Sequence, residues 1–186
     1  MSSPSIETRR YLDTIGMLSN GVCVVTAQVE GQIHGMTANS VNSLSLNPML
    51  MLVCVAKKAK MASLLTPGVP FTVSILREDQ SRVSNHFAGA SRKPEVMPDI
   101  RFEKWAGGAR LEGCLAAIGC EVRDVFEGGD HLIVTGSVVS LFQGADPDRP
   151  LLYFRSRYVR LEGGGLLAPG RDDLAEGPAH IFYDPW

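Results

Sequence analysis

The stretch "GVCVVTAQVEGQIHGMTANSVNSLSLNPMLMLVCV", Gly21 to Val55, decides how the chain folds. At its start "VCVVTAQV" is β-branched and apolar and reads as a strand; "EGQ" at 30–32 is a Gly-containing turn, and 33–37 is the returning strand. At its end "MLMLVCVA", residues 49–56, is a near-continuous apolar run, expected to be a strand buried on both faces. Between them "HGMTANSVNSLSLNP", residues 34–48, is crowded with serine, threonine and asparagine and carries almost no charge. So many small donors and acceptors between two buried strands need a reason.

Outward from this stretch the pattern stays mainly β. Ile6, Leu12, Ile15 and Leu18 recur at helical spacing and predict an amphipathic opening helix over 6–18, ended by Gly21. Residues 60–65 suggest a helical turn or two, stopped by Pro67-Gly68. "PFTVSIL" is a further strand, and Asp79 is placed to N-cap a helix over 80–87 with Gln80 and Arg82 on its exposed side. Residues 88–113, with Pro94, Pro98, Gly107 and Gly108, read as one long loop. Two long strands follow, "CLAAIGCEVRDVF" and "HLIVTGSVVSLF", joined by the tight turn "EGGD". After the hinge "DPDRP" comes a last strand, "LLYFRSRYVRLE", and from Gly163 a Gly- and Pro-rich arm. Six or seven strands with short links and three short helices predict an antiparallel barrel or sandwich with helical caps. The βα alternation of a doubly wound sheet is missing.

Composition narrows the class. A chain of 186 residues, 45% hydrophobic and 20% charged, is most simply one domain that buries its core without a staple. A net charge of −2, scattered along the chain, gives no footprint for nucleic acid. "MSSPSIETRRYL" is too polar for a secretory leader, and no apolar run approaches the roughly 18 residues of a membrane span. Cys23, Cys54, Cys114 and Cys120 lie in apolar segments with no C-x-x-C pair and read as small buried hydrophobes. The expectation is a soluble, reduced, cytoplasmic protein.

Several chemistries lack their motif. There is no G-x-x-x-x-G-K-[ST] and no G-x-S-x-G. "GGGLLA" at 163–168 is followed by Pro169-Gly170, where no helix can start to receive a pyrophosphate. His34, His86, His131 and His180 lack metal-ligand spacing. What remains is "HGMTANS" at 34–40, "KKAK" at 57–60, "NHFAG" at 85–89, "GGDH" at 128–131 and "YFRSRY" at 153–158. Singly, these are explained as a polar loop, a solvated helix start, a turn histidine and core or interface tyrosines.

In this order and spacing they resemble the short-chain flavin reductase family, the FMN-binding split-barrel flavoproteins, over 11–162. The strongest part is the opening stretch, similar to the pattern G-V-x-V-V-T … G-M-T-x-x-S … S-x-x-P-x-x-x-x-V; "FAG", "GCEV", "GDH" and "SRY" continue it. "HGMTANS … KM…LLTPG…F" and "FRSRY" look particularly like reductase components of styrene-type two-component monooxygenases. The resemblance implies an antiparallel split β-barrel over 1–162 with a few short capping helices, followed by an arm over 163–186. It implies an NAD(P)H:flavin oxidoreductase, using FMN or FAD and NADH or NADPH, which hands reduced flavin to an oxygenase component and works as a homodimer.

For the site, the resemblance implies that Gly35, Met36, Thr37, Ala38, Asn39 and Ser40 surround the flavin ring and ribityl chain. Lys57, Lys58 and Lys60 would serve the phosphate, with Phe87 and Ala88 near the phosphate or ring. His131 would serve the nicotinamide, with Tyr158 and Arg157 over the same place; Asp130 would cap its turn. The chain departs from the family pattern at Ala59 and Met61, where many members carry serine and threonine, at Asn39, where serine is commoner, and at Ala109-Arg110-Leu111. A flavin store or electron carrier on the same barrel is the rival reading. "GDH" with "SRY" separates the two, because a mere binder has no use for a nicotinamide pocket.

Overall fold

The computed structural model describes residues 6–89, 98–105, 108–144 and 149–161. The expected arm over 163–186, part of the hinge at 146–150 and the middle of the segment 88–113 lie outside these residues. The described strands are β1 (Asn20–Gly21), β2 (Cys23–Val29), β3 (Gln32–Ala38), β4 (Val41–Leu46), β5 (Met49–Ala56), β6 (Pro70–Ile75), β7 (Phe102–Trp105), β8 (Gly108–Leu111), β9 (Ala116–Gly128), β10 (His131–Gln143), β11 (Leu152–Phe154) and β12 (Arg157–Val159). The helices are α1 (Ile6–Ile15), α2 (Lys60–Leu64) and α3 (Ser81–Phe87), the last preceded by a 3-10 turn at Glu78–Gln80.

The largest sheet has seven antiparallel strands in the order β3-β2-β6-β9-β10-β5-β4. Its two edges, β3 and β4, are consecutive in the chain and joined by only Asn39 and Ser40. A flat sheet would hold those edges six strand spacings apart, roughly 29 Å, whereas the link spans at most about 11 Å. The sheet must therefore roll until its edges meet. The backbone N–H of Cys54 in β5 donates to the carbonyl of Ser40 at 3.0 Å, but no ladder joins β3 to β4 or β5. The result is a barrel split along the β3 edge, as expected.

Two apolar clusters hold it. Inside the barrel lie Val25, Ala27, Met51, Val53, Val55, Phe71, Val73, Cys120 and Val134, and α2 closes the interior with Met61 and Leu65. At about 1.5–3 kcal/mol for each buried large apolar side chain, this interior is the main source of stability. Outside β2, β6 and β9 a second cluster, with Val22, Val24, Leu76, Val83, Leu111, Cys114 and Leu151, seats α3 and the flanking hairpins. β2 is thus buried on both faces over its first five residues, with Cys23, Val25 and Ala27 in the barrel and Val24 in the second cluster.

The structure corrects several expectations. β5 is buried on one face only: Met51, Val53 and Val55 point inward, while Leu50, Leu52, Cys54 and Ala56 are half-buried. The segment 88–113 is not all loop but contains the β7–β8 hairpin, which β2 and β6 hold through Thr26 Oγ1 donating to the Ala109 carbonyl and Leu111 N–H donating to Ser74 Oγ. The last strand is a hairpin, β11–β12, turning at Arg155 and Ser156, both with positive φ (48° and 59°). The opening helix stops at Ile15 rather than running to Leu18, and Tyr11, Leu12 and Ile15 on it are exposed. Asp79 caps no helix. It pairs with Arg77, which holds its carboxyl below the usual range, and Gln80 Oε1 accepts the Arg77 N–H instead. All four cysteines are free, and of these Cys54 alone is not buried. No helix among the described residues is long and apolar enough to cross a membrane.

Candidate functional site

Only the first part of the polar stretch lies at the seam of the barrel. Asn42, Ser43 and Ser45 belong to β4, an edge strand paired on one side with β5 and exposed along most of its length. Their polarity solvates an edge that would otherwise invite pairing with another chain. Residues 37–40 are different, because they cross from one edge of the rolled sheet to the other.

Strand alternation divides the residues of β3. Gly35 and Thr37 face α3, whereas Met36 and Ala38 face the barrel interior and pack with its apolar cluster. Gly35 is required by a neighbour: a Cβ there would lie 2.4 Å from Cε1 of Phe87, so the Phe87 ring occupies the space a side chain would fill. Phe87 also meets Phe102 edge-on, with ring centroids 6.2 Å apart. The Thr37 hydroxyl donates to the Ser84 carbonyl at 2.6 Å. Its proton is thereby spent, so toward a ligand Thr37 offers an acceptor.

Beside Thr37 a cleft of about 250 Å³ opens between the seam, α3 and the β11–β12 hairpin. Thr37 and Asn39 form one wall, Ser84 and Ala88 the base, and Tyr153 and Tyr158 the opposite wall, with Val22 beneath. The two tyrosine rings meet edge-on, 5.6 Å between centroids. Tyr158 Oη lies 2.9 Å from Ser84 Oγ and 3.0 Å from Asn85 Oδ1. The Asn39 amide, half-buried, makes no side-chain hydrogen bond among the described residues and keeps both donors and its acceptor. This volume falls just below the usual range for small-molecule sites, roughly 300–1,000 Å³. It suits a planar ring system with the rest of the molecule lying outside. A wider groove of about 600 Å³ runs along α1 past Arg9, Arg10, Asp13, Thr14 and Met17, but these residues come from one helix and the turn after it, and no second wall faces them among the described residues.

Lys57 and His131 meet where β5 pairs with β10. Lys57 forms an ion pair with Glu127, and its N–H donates to the Asp130 carbonyl at 3.0 Å, tying the β9–β10 turn to the end of β5. His131 Nδ1 lies 2.7 Å from Asp130 Oδ1. That contact is the first cause, and the His131 charge the second, of an Asp130 carboxyl held below its usual range. Asp130 thus orients the imidazole. Lys58 and Lys60 are exposed and make no ion pair among the described residues; α2, which Lys60 opens, has no side-chain cap at its N-terminus. Leu132 and Val134 of β10 pack with the barrel interior, so His131 and Ile133 lie on the outer face. Ser40 is exposed, next to Cys54, and Arg157 is exposed opposite Phe154.

One chain therefore brings together Thr37, Asn39, Ala88 and Tyr158, with Gly35 and Phe87 behind them. It keeps His131 and the lysines apart from that cleft. Ser84 and Tyr153 complete the cleft and were not singled out as ligand contacts. The spacing Ser84-x-x-Phe87-Ala88 on one helical face was the available signal.

A seven-stranded antiparallel sheet rolled into a split barrel, with a cleft at its seam, defines the class of fold. More particularly, this chain belongs to the family described as flavin reductase like domain, whose model matches residues 15–162. The reductase component of 4-hydroxyphenylacetate 3-monooxygenase from Thermus thermophilus is 36% identical, over 81% of this chain and 95% of its own length. An NADH-dependent flavin reductase from Rhodococcus sp is 35% identical over 91% of this chain and 93% of its own. Among solved structures, the styrene monooxygenase flavin reductase of Pseudomonas putida S12 superposes with a TM-score of 0.72 at 33% identity, covering 80% of this chain and 95% of that one.

Proposed function

We propose that the chain is an NAD(P)H-dependent flavin reductase whose flavin, FMN or FAD, places its ring in the seam cleft, and that it supplies reduced flavin to a partner monooxygenase. One observation carries this reading: the family's "HGMTANS" segment falls where the barrel is split, and there Thr37 and Asn39 face Tyr153 and Tyr158 across a ring-sized cleft. The donor set fits the ring. Thr37 offers an acceptor suited to an imide N–H, and the unbonded Asn39 amide offers donors suited to ring oxygens or nitrogens. Lys58 and Lys60 are free to meet a phosphate. When bound, the nicotinamide would supply hydride-donor chemistry and the flavin hydride-acceptor chemistry, which belongs to the cofactors. The protein's part is to hold the rings and keep water out, so no side chain need act as acid or base. His131, its Nδ1 engaged by Asp130, is left with Nε2 for the nicotinamide.

A homodimer completes this arrangement. Leu50, Leu52, Cys54, Ile133 and Phe126 leave a partly exposed apolar face on β5, β10 and β9, and α1 exposes Tyr11, Leu12 and Ile15. The sheet face carries His131 at its end, so a second copy seated there meets the nicotinamide residue that one chain keeps outside its own cleft. The four free thiols suit the cytoplasm.

The test is anaerobic absorbance at the nicotinamide and flavin bands, with NADH or NADPH and FMN or FAD added in turn to a catalytic amount of protein. Coupled loss of both bands is expected. Flavin binding without nicotinamide oxidation would leave a carrier, and no binding would remove the cleft reading.

A further inference from the structure

Ser84 has no exposed surface, yet it bonds to both walls of the cleft. Its carbonyl accepts the Thr37 hydroxyl at 2.6 Å and the Ala88 N–H at 2.9 Å, and its Oγ lies 2.9 Å from Tyr158 Oη. A serine is a weak choice for the middle of a short helix, where its hydroxyl competes with the backbone. Its neighbour Val83 shows that this face of α3 is built to be apolar. The hydroxyl is kept because it has a partner, and that partner is the tyrosine of the opposite hairpin, 74 residues along the chain.

The phenol has one proton, and both atoms within its reach, Ser84 Oγ at 2.9 Å and Asn85 Oδ1 at 3.0 Å, are acceptors on α3. With its proton committed to α3, the Tyr158 O–H is not offered to a ligand, and what faces the cleft is the ring.

We propose that Ser84 is a positioning residue for the cofactor cleft: it sets the spacing between the Thr37 wall and the Tyr158 wall and turns the Tyr158 hydroxyl away, so that the flavin meets an aromatic surface. This rests on the reading of the cleft as the flavin-ring site. Ser84 touches no cofactor in this scheme, and its effect passes through Thr37 and Tyr158.

The experiment uses the full chain, with affinities for FMN and FAD measured by fluorescence quenching without nicotinamide, the circular dichroism of the bound flavin, and melting of the flavin-free protein. The variants are Ser84→Ala, Tyr158→Phe, the two combined, and Asn39→Ala. Ser84→Ala is expected to weaken flavin binding about tenfold, the size of one lost hydrogen bond. Tyr158→Phe, which keeps the ring, should do the same and alter the flavin dichroism in the same way. The double variant should be no worse than either alone, because both cut one link. Wild-type flavin affinity in Ser84→Ala, or losses that multiply in the double variant, would overturn the proposal. If Ser84→Ala does not fold, Tyr158→Phe decides, since it leaves the helix intact and unchanged affinity there is equally fatal. Asn39→Ala separates the two levels. A weakened Asn39→Ala beside an unaffected Ser84→Ala rejects positioning alone, whereas flavin affinity untouched in both rejects the cleft and the proposal with it.

Discussion

The cleft at the barrel seam is lined by hydroxyl, amide and phenol groups from three elements, Thr37 and Tyr158 both bonded to Ser84, whereas the corner where β5 meets β10 carries Lys57, Lys58, Glu127, Asp130 and His131 largely open to water. The first is neutral, suited to an uncharged ring. The second is charged and solvated, suited to phosphate and to a cofactor that comes and goes. Family motifs that follow one another in sequence are thus allotted to two environments. The apolar outer face of β5 and β10, between the corner and the next molecule, is where a second copy would reunite them.

The largest way to break this contrast is from beneath the cleft. Gly35→Ala drives a methyl into the Phe87 ring, 2.4 Å from its Cε1, so the ring must shift. Overpacking of this kind costs about 1–3 kcal/mol. The flavin-free protein should melt several degrees lower, by about 2–4 °C per kcal/mol, and flavin affinity should fall as well. A wild-type melt would mean that Phe87 has room to move.

The corner is expected to answer differently. His131→Ala should raise the KM for NADH about tenfold or more while leaving flavin affinity and melting temperature near wild type, because the exposed imidazole supports no core contact. Steady-state kinetics alongside a flavin titration reads both, and equal losses for the two ligands would erase the distinction between the regions.

Thiol labelling probes the face between them. Burial pushes the thiols of Cys23 and Cys120 up to about 12, so near neutral pH they stay protonated and unreactive, and Cys114 is raised in the same direction. Cys54, on the outer face of β5, is expected to be the thiol that reacts, and, with a second copy seated on this face as proposed, more slowly as protein concentration rises. Labelling that ignores concentration would argue against a second copy on this face. The smallest effect belongs to Lys57→Ala. Its pair with the exposed Glu127 is screened by water and worth no more than about 0.5 kcal/mol, so the melt should barely move. A loss of several degrees would show the corner to be structural.

Much of the barrel was legible because its turns announce themselves. Glu30-Gly31 and Glu127-Gly128-Gly129-Asp130 close hairpins whose flanks are β-branched, and the registers follow. The β11–β12 hairpin was not legible, since Arg155 and Ser156 take positive φ without the glycine or asparagine that signals such a turn. The β7–β8 hairpin was hidden by the glycines and prolines around it, and it is held by Thr26 and Ser74 from strands far away in sequence. At the candidate site, the stretch 37–40 stands out by its composition and by family likeness. What stayed out of reach was the use made of each residue. Gly35 makes room for Phe87, Thr37 spends its proton on Ser84, and His131 faces outward, all of which depend on contacts between distant segments.

The most direct measurement is a crystal structure of the protein with flavin bound. The ring is expected in the seam cleft, with Thr37 accepting from its imide N–H, the Asn39 amide on a ring oxygen or nitrogen, and the faces of Tyr153 and Tyr158 forming the far wall. A ring seated instead at the Lys57–His131 corner, with the seam left to solvent, would contradict the account.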